Sequence, residues 1–269
     1  MGIGKLILDR IGLRQRYQSF FERCVKFGAT GLGYGLPTNP KASERLEEVA
    51  FRRSLERARG DRFIAFDVGA NKGSYIRMLQ HCAAGRPMDV HAFEPDTELS
   101  EQLVRAFSTD AGVRIVAKGV SDREGTATFH KHAHTVLSSF HVAEAHPSSY
   151  RDKTVSTSID VPLTTIDAYC AANGIQRVDH LKIDTEGHDL FVLRGAQRML
   201  GERRIGAVQF EFSEMNLISR TSFFDHWNLL HTHYDVHRLC ADGLYRIEQY
   251  DPLLHELYHV VNFYATLKN

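Results

Sequence analysis

From residue 62 onward, short apolar runs that end in glycine or an acidic side chain alternate with stretches of helical periodicity. That rhythm belongs to βα units, whose parallel strands are buried on both faces and read as near-continuous apolar segments. The pattern predicts strands over 63–68, 90–93, 113–117, 180–184 and 207–212, with helices over 74–81, 97–107 and 190–200. Five such strands imply a doubly wound α/β sheet. Between the third and fourth, 126–130 and 155–161 read as two further β segments, an inserted hairpin whose loop is rich in serine and histidine. Beyond residue 212 the chain predicts a helix over 223–230, strands over 234–239 and 244–247 around the turn Asp242-Gly243, and a last strand over 258–267.

The first 60 residues have another character. Leu13, Tyr17, Phe20, Phe21 and Cys24 share one face of a predicted helix, with Arg14, Arg16 and Arg23 elsewhere. Residues 28–40 hold four glycines and two prolines and read as a linker, followed by a charged helix over 42–59. The expected organisation is therefore a basic helical arm with linker over 1–60 and a main domain over 61–269, carrying an inserted hairpin or lid at about 123–161.

Composition narrows the function classes. Of 269 residues, 43% are hydrophobic and 25% charged, which excludes disordered, collagen-like and disulfide-scaffold chains. The 33 basic and 33 acidic side chains cancel, so general binding to a nucleic-acid backbone is not expected. The balance is uneven along the chain: residues 1–60 hold 12 basic and 6 acidic side chains, a net +6 against −6 for the remainder. Packing of the arm's apolar face on the protein's own sheet is the first expectation, a homo-oligomer the second, and peripheral contact with anionic lipid a third. The four cysteines show no C-x-x-C spacing, which fits reduced thiols in a cytoplasmic protein, and no apolar run reaches the 18 residues that a membrane span needs.

Candidate chemistry lies at the ends of the predicted strands. The first runs into Gly69-Ala70-Asn71-Lys72-Gly73 and then a helix, the place where open α/β sheets bind ligands. Glycine allows a tight turn and close approach of a ligand, and the helix start offers free N–H groups. The second strand ends at Glu94, 27 residues after Asp67, where a carboxylate accepts both hydroxyls of a ribose. The turn reads G-x-N-x-G rather than G-x-G-x-x-G, so no glycine stands where a pyrophosphate presses closest. S-adenosylmethionine has no pyrophosphate, and Asp67 and Asn71 are placed to serve its ammonium and carboxylate directly or through water.

The runs Phe66-Asp67-Val68-Gly69-Ala70-Asn71-Lys72-Gly73, Glu94-Pro95, Val120-Ser121-Asp122, Ser138-Ser139 and Leu181-Lys182-Ile183-Asp184-Thr185-Glu186-Gly187-His188, followed by Leu193-Arg194-Gly195-Ala196, resemble the FkbM-type methyltransferases over about residues 62–212. The resemblance implies a class I methyltransferase (Rossmann-like) fold with an antiparallel last strand. It implies S-adenosylmethionine as donor and O-methylation of a hydroxyl, commonly on a carbohydrate, glycan or glycosylated natural product. It maps Asp67, Gly69, Asn71 and Gly73 to the methionine-end loop, Glu94 with Pro95 to the ribose, and Ser121 with Asp122 to the adenine side. The alternatives are a nicotinamide-dependent oxidoreductase and a non-catalytic nucleoside-binding scaffold.

A hydroxyl attacking a methyl carbon needs alignment and a base for its proton. Asp184, Glu186 and His188 leave the fourth strand at alternate positions and share one side while the segment stays extended. Glu186 or His188 is the candidate base, with Asp184 orienting it or holding the donor, and Glu211 at the end of the fifth strand is a fourth candidate. The plainer alternatives are a helix-capping Glu186 and a partly exposed His188 at a helix start. Ser138, Ser139, His134 and His141, together with His132, are candidates for binding acceptor hydroxyls. A divalent cation on Asp184, Glu186 and Glu211 is chemically reasonable but not the preferred reading, so no metal ligand is assigned. The run His255-Glu256-Leu257-Tyr258-His259 fits H-E-x-x-H, but it leads into a β-like stretch and lacks a third ligand downstream.

Overall fold

The computed structural model of the protein describes residues 12, 14–35, 40–132, 139–141 and 155–269, with the backbone alone at 40–43, 132, 155 and 156. Two helices come first, α1 (Gln18–Gly31) and α2 (Pro40–Arg57). Next are β1 (Phe63–Val68), α3 (Ser74–Cys82), β2 (Met88–Phe93), α4 (Thr97–Ala106) and β3 (Val113–Val116). Then come β4 (Gly119–Val120), β5 (Gly125–His132) and β6 (Val155–Thr164). The chain continues through α5 (Ile166–Ala172), β7 (His180–Ile183), α6 (Asp189–Arg194), α7 (Gln197–Gly201), β8 (Ala207–Phe212), α8 (Met215–Ser219) and α9 (Phe223–Leu230). It closes with β9 (Tyr234–Cys240), β10 (Gly243–Arg246), α10 (Pro252–His255) and β11 (Val261–Leu267).

Eight strands form one sheet in the order β10-β9-β11-β8-β7-β1-β2-β3, and β4-β6-β5 form a second. Strands β3, β2, β1, β7 and β8 are parallel, whereas β11 runs antiparallel to both β8 and β9. The chain winds outward from β1 to β3 and then returns to β7 on the other side of β1. A switch point of this kind opens a crevice at the carboxyl ends of the strands. This is the class I methyltransferase sheet, and all five predicted parallel strands are in it.

Alternation along β1 assigns the two faces. Phe66 and Val68 join Leu181, Ile183, Val208 and Phe210 under helices α5, α6, α7 and α9. Phe63 and Ala65 face the other way, with Val90 and Ala92, under α2, α3 and α4. On that second face the end of the sheet is polar: Asp67 pairs in register with Lys182, Lys182 with Gln209, and Gln209 with Tyr264. Helix α2 covers this row. Its Phe51 is fully buried edge-on against Phe63, at 5.4 Å between ring centroids, a burial that contributes about 1.5–3 kcal/mol. No residue of α1 is fully buried: Phe20, Val25 and Phe27 are 51%, 64% and 83% exposed, and only its end packs on the main core, through Ala29. The expectation that the arm packs on its own sheet therefore describes α2 and not the exposed Phe20 and Phe27 of α1.

Several boundaries differ from the sequence expectation. The helix expected over 190–200 is two, because the chain closes on β4 at Gly195, where a Cβ would lie 2.0 Å from the Ser121 carbonyl oxygen. Asp167 then caps α7 by accepting from the backbone N–H groups of Arg198 and Met199, at 2.8 and 3.0 Å. The expected linker begins late, since α1 runs through Gly28 to Gly31. The last strand starts at Val261 rather than 258, after a left-handed Tyr258 (φ 45°). Among the described residues no helix is long and apolar enough to cross a membrane.

Candidate active site

The turn after β1 is held by backbone contacts. Gly69 has φ 87°, and a Cβ there would lie 1.9 Å from the Asp184 carbonyl oxygen, so only glycine lets the β1 and β7 ends meet. The N–H groups of Gly69 and Ala70 both donate to the Phe93 carbonyl at 3.0 Å. Asn71 is also left-handed, at φ 46°, a conformation asparagine tolerates. Gly73, at φ 75°, precedes α3, and a Cβ there would press Leu103 and Phe107 at 2.8 Å.

Glu94 is tied to this turn. Its Oε2 accepts from the Asn71 N–H at 2.8 Å and its Oε1 from the Asp96 N–H at 2.9 Å. Each oxygen keeps lone-pair capacity for a further donor. Burial pushes the Glu94 carboxyl up to about 7, against the pull of the two N–H groups.

A cavity of about 260 Å³ opens beside Glu94. Val68, Phe93, Leu99, Val120 and Phe129 form its apolar wall, Gly69, Ala70 and Asn71 its turn side, and Asp184, Thr185 and Glu186 the opposite lip. Pro95 lines it as well, as do Phe140, Lys182 and Glu47. Asp67 and Gly73 do not line it. Asp67 is fully buried beneath the turn, with its Oδ1 3.4 Å from Lys182 Nζ and neither oxygen accepting a hydrogen bond among the described residues. Burial holds its carboxyl above the usual range, and Lys182 partly offsets that. The Lys182 Nζ is also 3.3 Å from Asp184 Oδ2. Burial pulls the ammonium down, yet Asp184, Asp67 and Glu47 together hold it above the ordinary lysine range.

The residues that follow β7 divide. Glu186 is left-handed (φ 52°), half-buried and on the cavity lip, and its carbonyl accepts from Ser139 Oγ at 2.9 Å. His188 lies behind the lip and is buried. Its Nδ1 meets His141 Nε2 and its Nε2 meets Ser121 Oγ, both at 3.0 Å. Burial, then His141 and Arg123, bring its imidazole down to about 3. Both nitrogens being engaged, His188 joins residues 139–141 and the end of β4 to the β7 loop. Glu211 is half-buried and outside the cavity wall. Burial and then Asp184, Glu186 and Asp189 push its carboxyl well up. The N–H of Glu211 donates to Asp189 Oδ1 at 3.2 Å, and Thr185 Oγ1 donates to Asp189 Oδ2 at 2.8 Å, so Asp189 ties the β7 loop to β8. Asp122 accepts from Ser121 Oγ at 3.2 Å, away from the cavity wall. His134 and Ser138 lie outside the described residues, as does the side chain of His132.

Residues 67–237, more than half of the chain, match the family described as the methyltransferase FkbM domain. The chain belongs to that family. The chain is 24% identical over 162 residues to the 2-O-methyltransferase NoeI of Sinorhizobium fredii (strain NBRC 101917 / NGR234), across 57% of this chain and 65% of that one. It also resembles the crystal structure of methyltransferase FkbM from Methylobacillus flagellatus KT, with a TM-score of 0.49 and 17% identity over 81% of this chain and 47% of that one. A SAM-dependent O-methyltransferase from Thermotoga maritima matches with a TM-score of 0.38 and 12% identity, over 82% and 64% of the two chains. The aligned part thus spans less than two thirds of each of these three relatives.

The H-E-x-x-H run of the chain is structural. Helix α10 ends at His255, so the two histidines of His255-Glu256-Leu257-Tyr258-His259 do not share a helix. Glu256 instead accepts from the N–H groups of Phe223 and Phe224, at 3.0 and 2.8 Å, and so caps α9. Among the described residues no group of three or more His, Cys, Asp or Glu side chains is placed to hold a metal ion. Sequence reasoning missed Glu47 and Lys182. Glu47 had a readable signal: it continues the helical stripe of the buried Ala50, Phe51 and Ser54, at steps of three, one and three.

Proposed function

We propose that this methyltransferase uses S-adenosylmethionine to methylate an oxygen, on a hydroxyl of a carbohydrate, glycan or glycosylated natural product. The observation that carries the reading is the cavity between Glu94 and the Asp184–Glu186 lip, at the carboxyl ends of β1, β2 and β7. Its residues fit the donor. Glu94 has lone pairs left on both oxygens for two vicinal hydroxyls, the apolar wall suits a purine, and the turn offers compact backbone rather than a pyrophosphate cradle. Bound donor supplies an electrophilic methyl carbon with a neutral thioether as leaving group.

The rest falls to the chain. The turn of Gly69 and Asn71 sits at the methionine end and Glu94 with Pro95 at the ribose, with Ser121 and Asp122 behind the adenine side. Glu186, on the lip, accepts the proton of the acceptor hydroxyl as the new bond forms, a contribution of about 10²–10⁴-fold. Asp184 holds Lys182 in place. His188 is a positioning residue, because both of its nitrogens are already engaged. Ser139 and His141, with His134 and Ser138, belong to the acceptor side. Oxygen as the accepting atom draws support from the name of the NoeI relative. Four unpaired cysteines fit a cytoplasmic setting.

The experiment is a screen of sugar nucleotides, glycans and glycosylated natural products with methyl-labelled donor, read by mass spectrometry of the product. A product gaining one CH₂ on oxygen supports the proposal, and methyl on carbon or nitrogen overturns the acceptor class. Glu186→Gln should lower kcat by about 10²–10⁴-fold with donor affinity retained. Unchanged turnover removes the base assignment. Binding of NAD without binding of S-adenosylhomocysteine would favour the oxidoreductase reading instead.

A further inference from the structure

Helix α2 brings a carboxylate to the cavity from outside the matched family region. Glu47 lines the same cavity as Asn71, Tyr75, Lys182 and Asp184, and its carboxylate takes part in no hydrogen bond or close ion pair among the described residues. Its neighbours make this unusual. Lys182 is one ammonium facing three carboxylates, Asp67 at 3.4 Å, Asp184 at 3.3 Å and Glu47 farther off. Asp67 is completely buried, yet among the described residues neither of its oxygens accepts a hydrogen bond. One ammonium faces three carboxyl groups here, and burial disfavours the ionised forms of Asp67 and Glu47, so this end of the cavity suits a further cation that would pair with them.

We infer that Glu47 receives the α-ammonium group at the amino-acid end of the methyl donor. The inference rests on the proposed donor and adds a contact from the arm. The location fits: the cluster lies next to the turn of Gly69 and Asn71, on the side of the sheet that α2 and α3 cover, away from the apolar wall. An ammonium placed there meets Glu47 directly and relieves the excess charge around Asp67 and Asp184. Helix α2 is thus a wall of the donor site, held over the polar row by the Ser54 Oγ contacts to His180 Nδ1 at 2.7 Å and Tyr264 Oη at 2.8 Å.

The test is calorimetric titration of the full chain with S-adenosylhomocysteine, which carries the α-ammonium, and with 5′-methylthioadenosine, which lacks the whole amino-acid end. In Glu47→Gln the first should bind about 10–100-fold more weakly, the loss expected for one charged hydrogen bond, while the second stays within about twofold. Glu47→Asp should restore part of the loss. Equal affinity of wild type and Glu47→Gln for S-adenosylhomocysteine would overturn the inference, as would an equal drop for both ligands. A fall in kcat with donor affinity intact would move Glu47 to the acceptor and overturn it too. Wild-type protein that binds neither ligand would sink the donor reading itself, a result distinct from every other outcome.

Discussion

Helix α1 separates its apolar and polar positions more cleanly than α2, yet none of its residues is buried, whereas α2 encloses Ala50, Phe51 and Ser54 almost completely. The difference lies in what each helix meets. The inner residues of α2 are small or aromatic and match the row formed by Phe63, His180 and Tyr264, with Phe51 edge-on to the His180 ring at 5.9 Å. The aromatic stripe of α1 meets solvent instead. Periodicity thus states that a helix has an apolar face, and the residues opposite decide whether that face is covered.

The contrast makes Phe51→Ala the most damaging substitution in the arm, with an expected loss of about 3–5 kcal/mol in urea unfolding and weaker donor binding as Glu47 shifts. A loss under about 1 kcal/mol would show that α2 is only loosely attached. Ser54→Ala ranks second, because it leaves His180 Nδ1 and the Tyr264 hydroxyl without their buried partner; about 1–3 kcal/mol should be lost.

A third test of the arm uses pH. Burial, opposed by Lys182 and reinforced by Asp184, Asp67 and Glu44, pushes the Glu47 carboxyl up to about 7 from 4.5. A carboxyl raised on folding favours the folded state fully below its unfolded value, and that contribution is lost as pH rises through the folded value. Ligand-free wild type should therefore lose stability relative to Glu47→Gln between about pH 4.5 and 7. The buried histidines titrate in the opposite sense but are common to both proteins, so the difference in Tm isolates Glu47. A flat difference would mean that Glu47 is ionised in both folded and unfolded chains. Smallest of all, Phe20→Ser and Phe27→Ser in α1 should change stability by no more than about 0.5 kcal/mol. A larger loss would reveal a cover for that helix in solution.

The same contrast marks how far sequence reasoning reached. The five parallel strands were legible because burial on both faces leaves continuous apolar runs, and the turn with Glu94 was legible because it is built from neighbouring residues in fixed register. Glu47 belongs to a helix that reads as highly charged, and only its place in the same cavity wall as Lys182 and Asp184 gives it meaning. His188 shows the converse: its spacing after Asp184 suggests a base, while its imidazole is enclosed by Ser121 and His141, which come from distant parts of the chain. Helix boundaries at Gly195 and Tyr258 were set by tertiary closure that no local pattern announces.

The meeting of Gly69 with the Asp184 carbonyl reaches beyond the turn itself. Two loops in main-chain contact cannot be remodelled one at a time, so the cavity floor behaves as a single casting. A change in the cavity's shape is therefore left to its rim, where Phe129 of the small sheet, Phe140 and Glu47 of α2 stand apart from that floor.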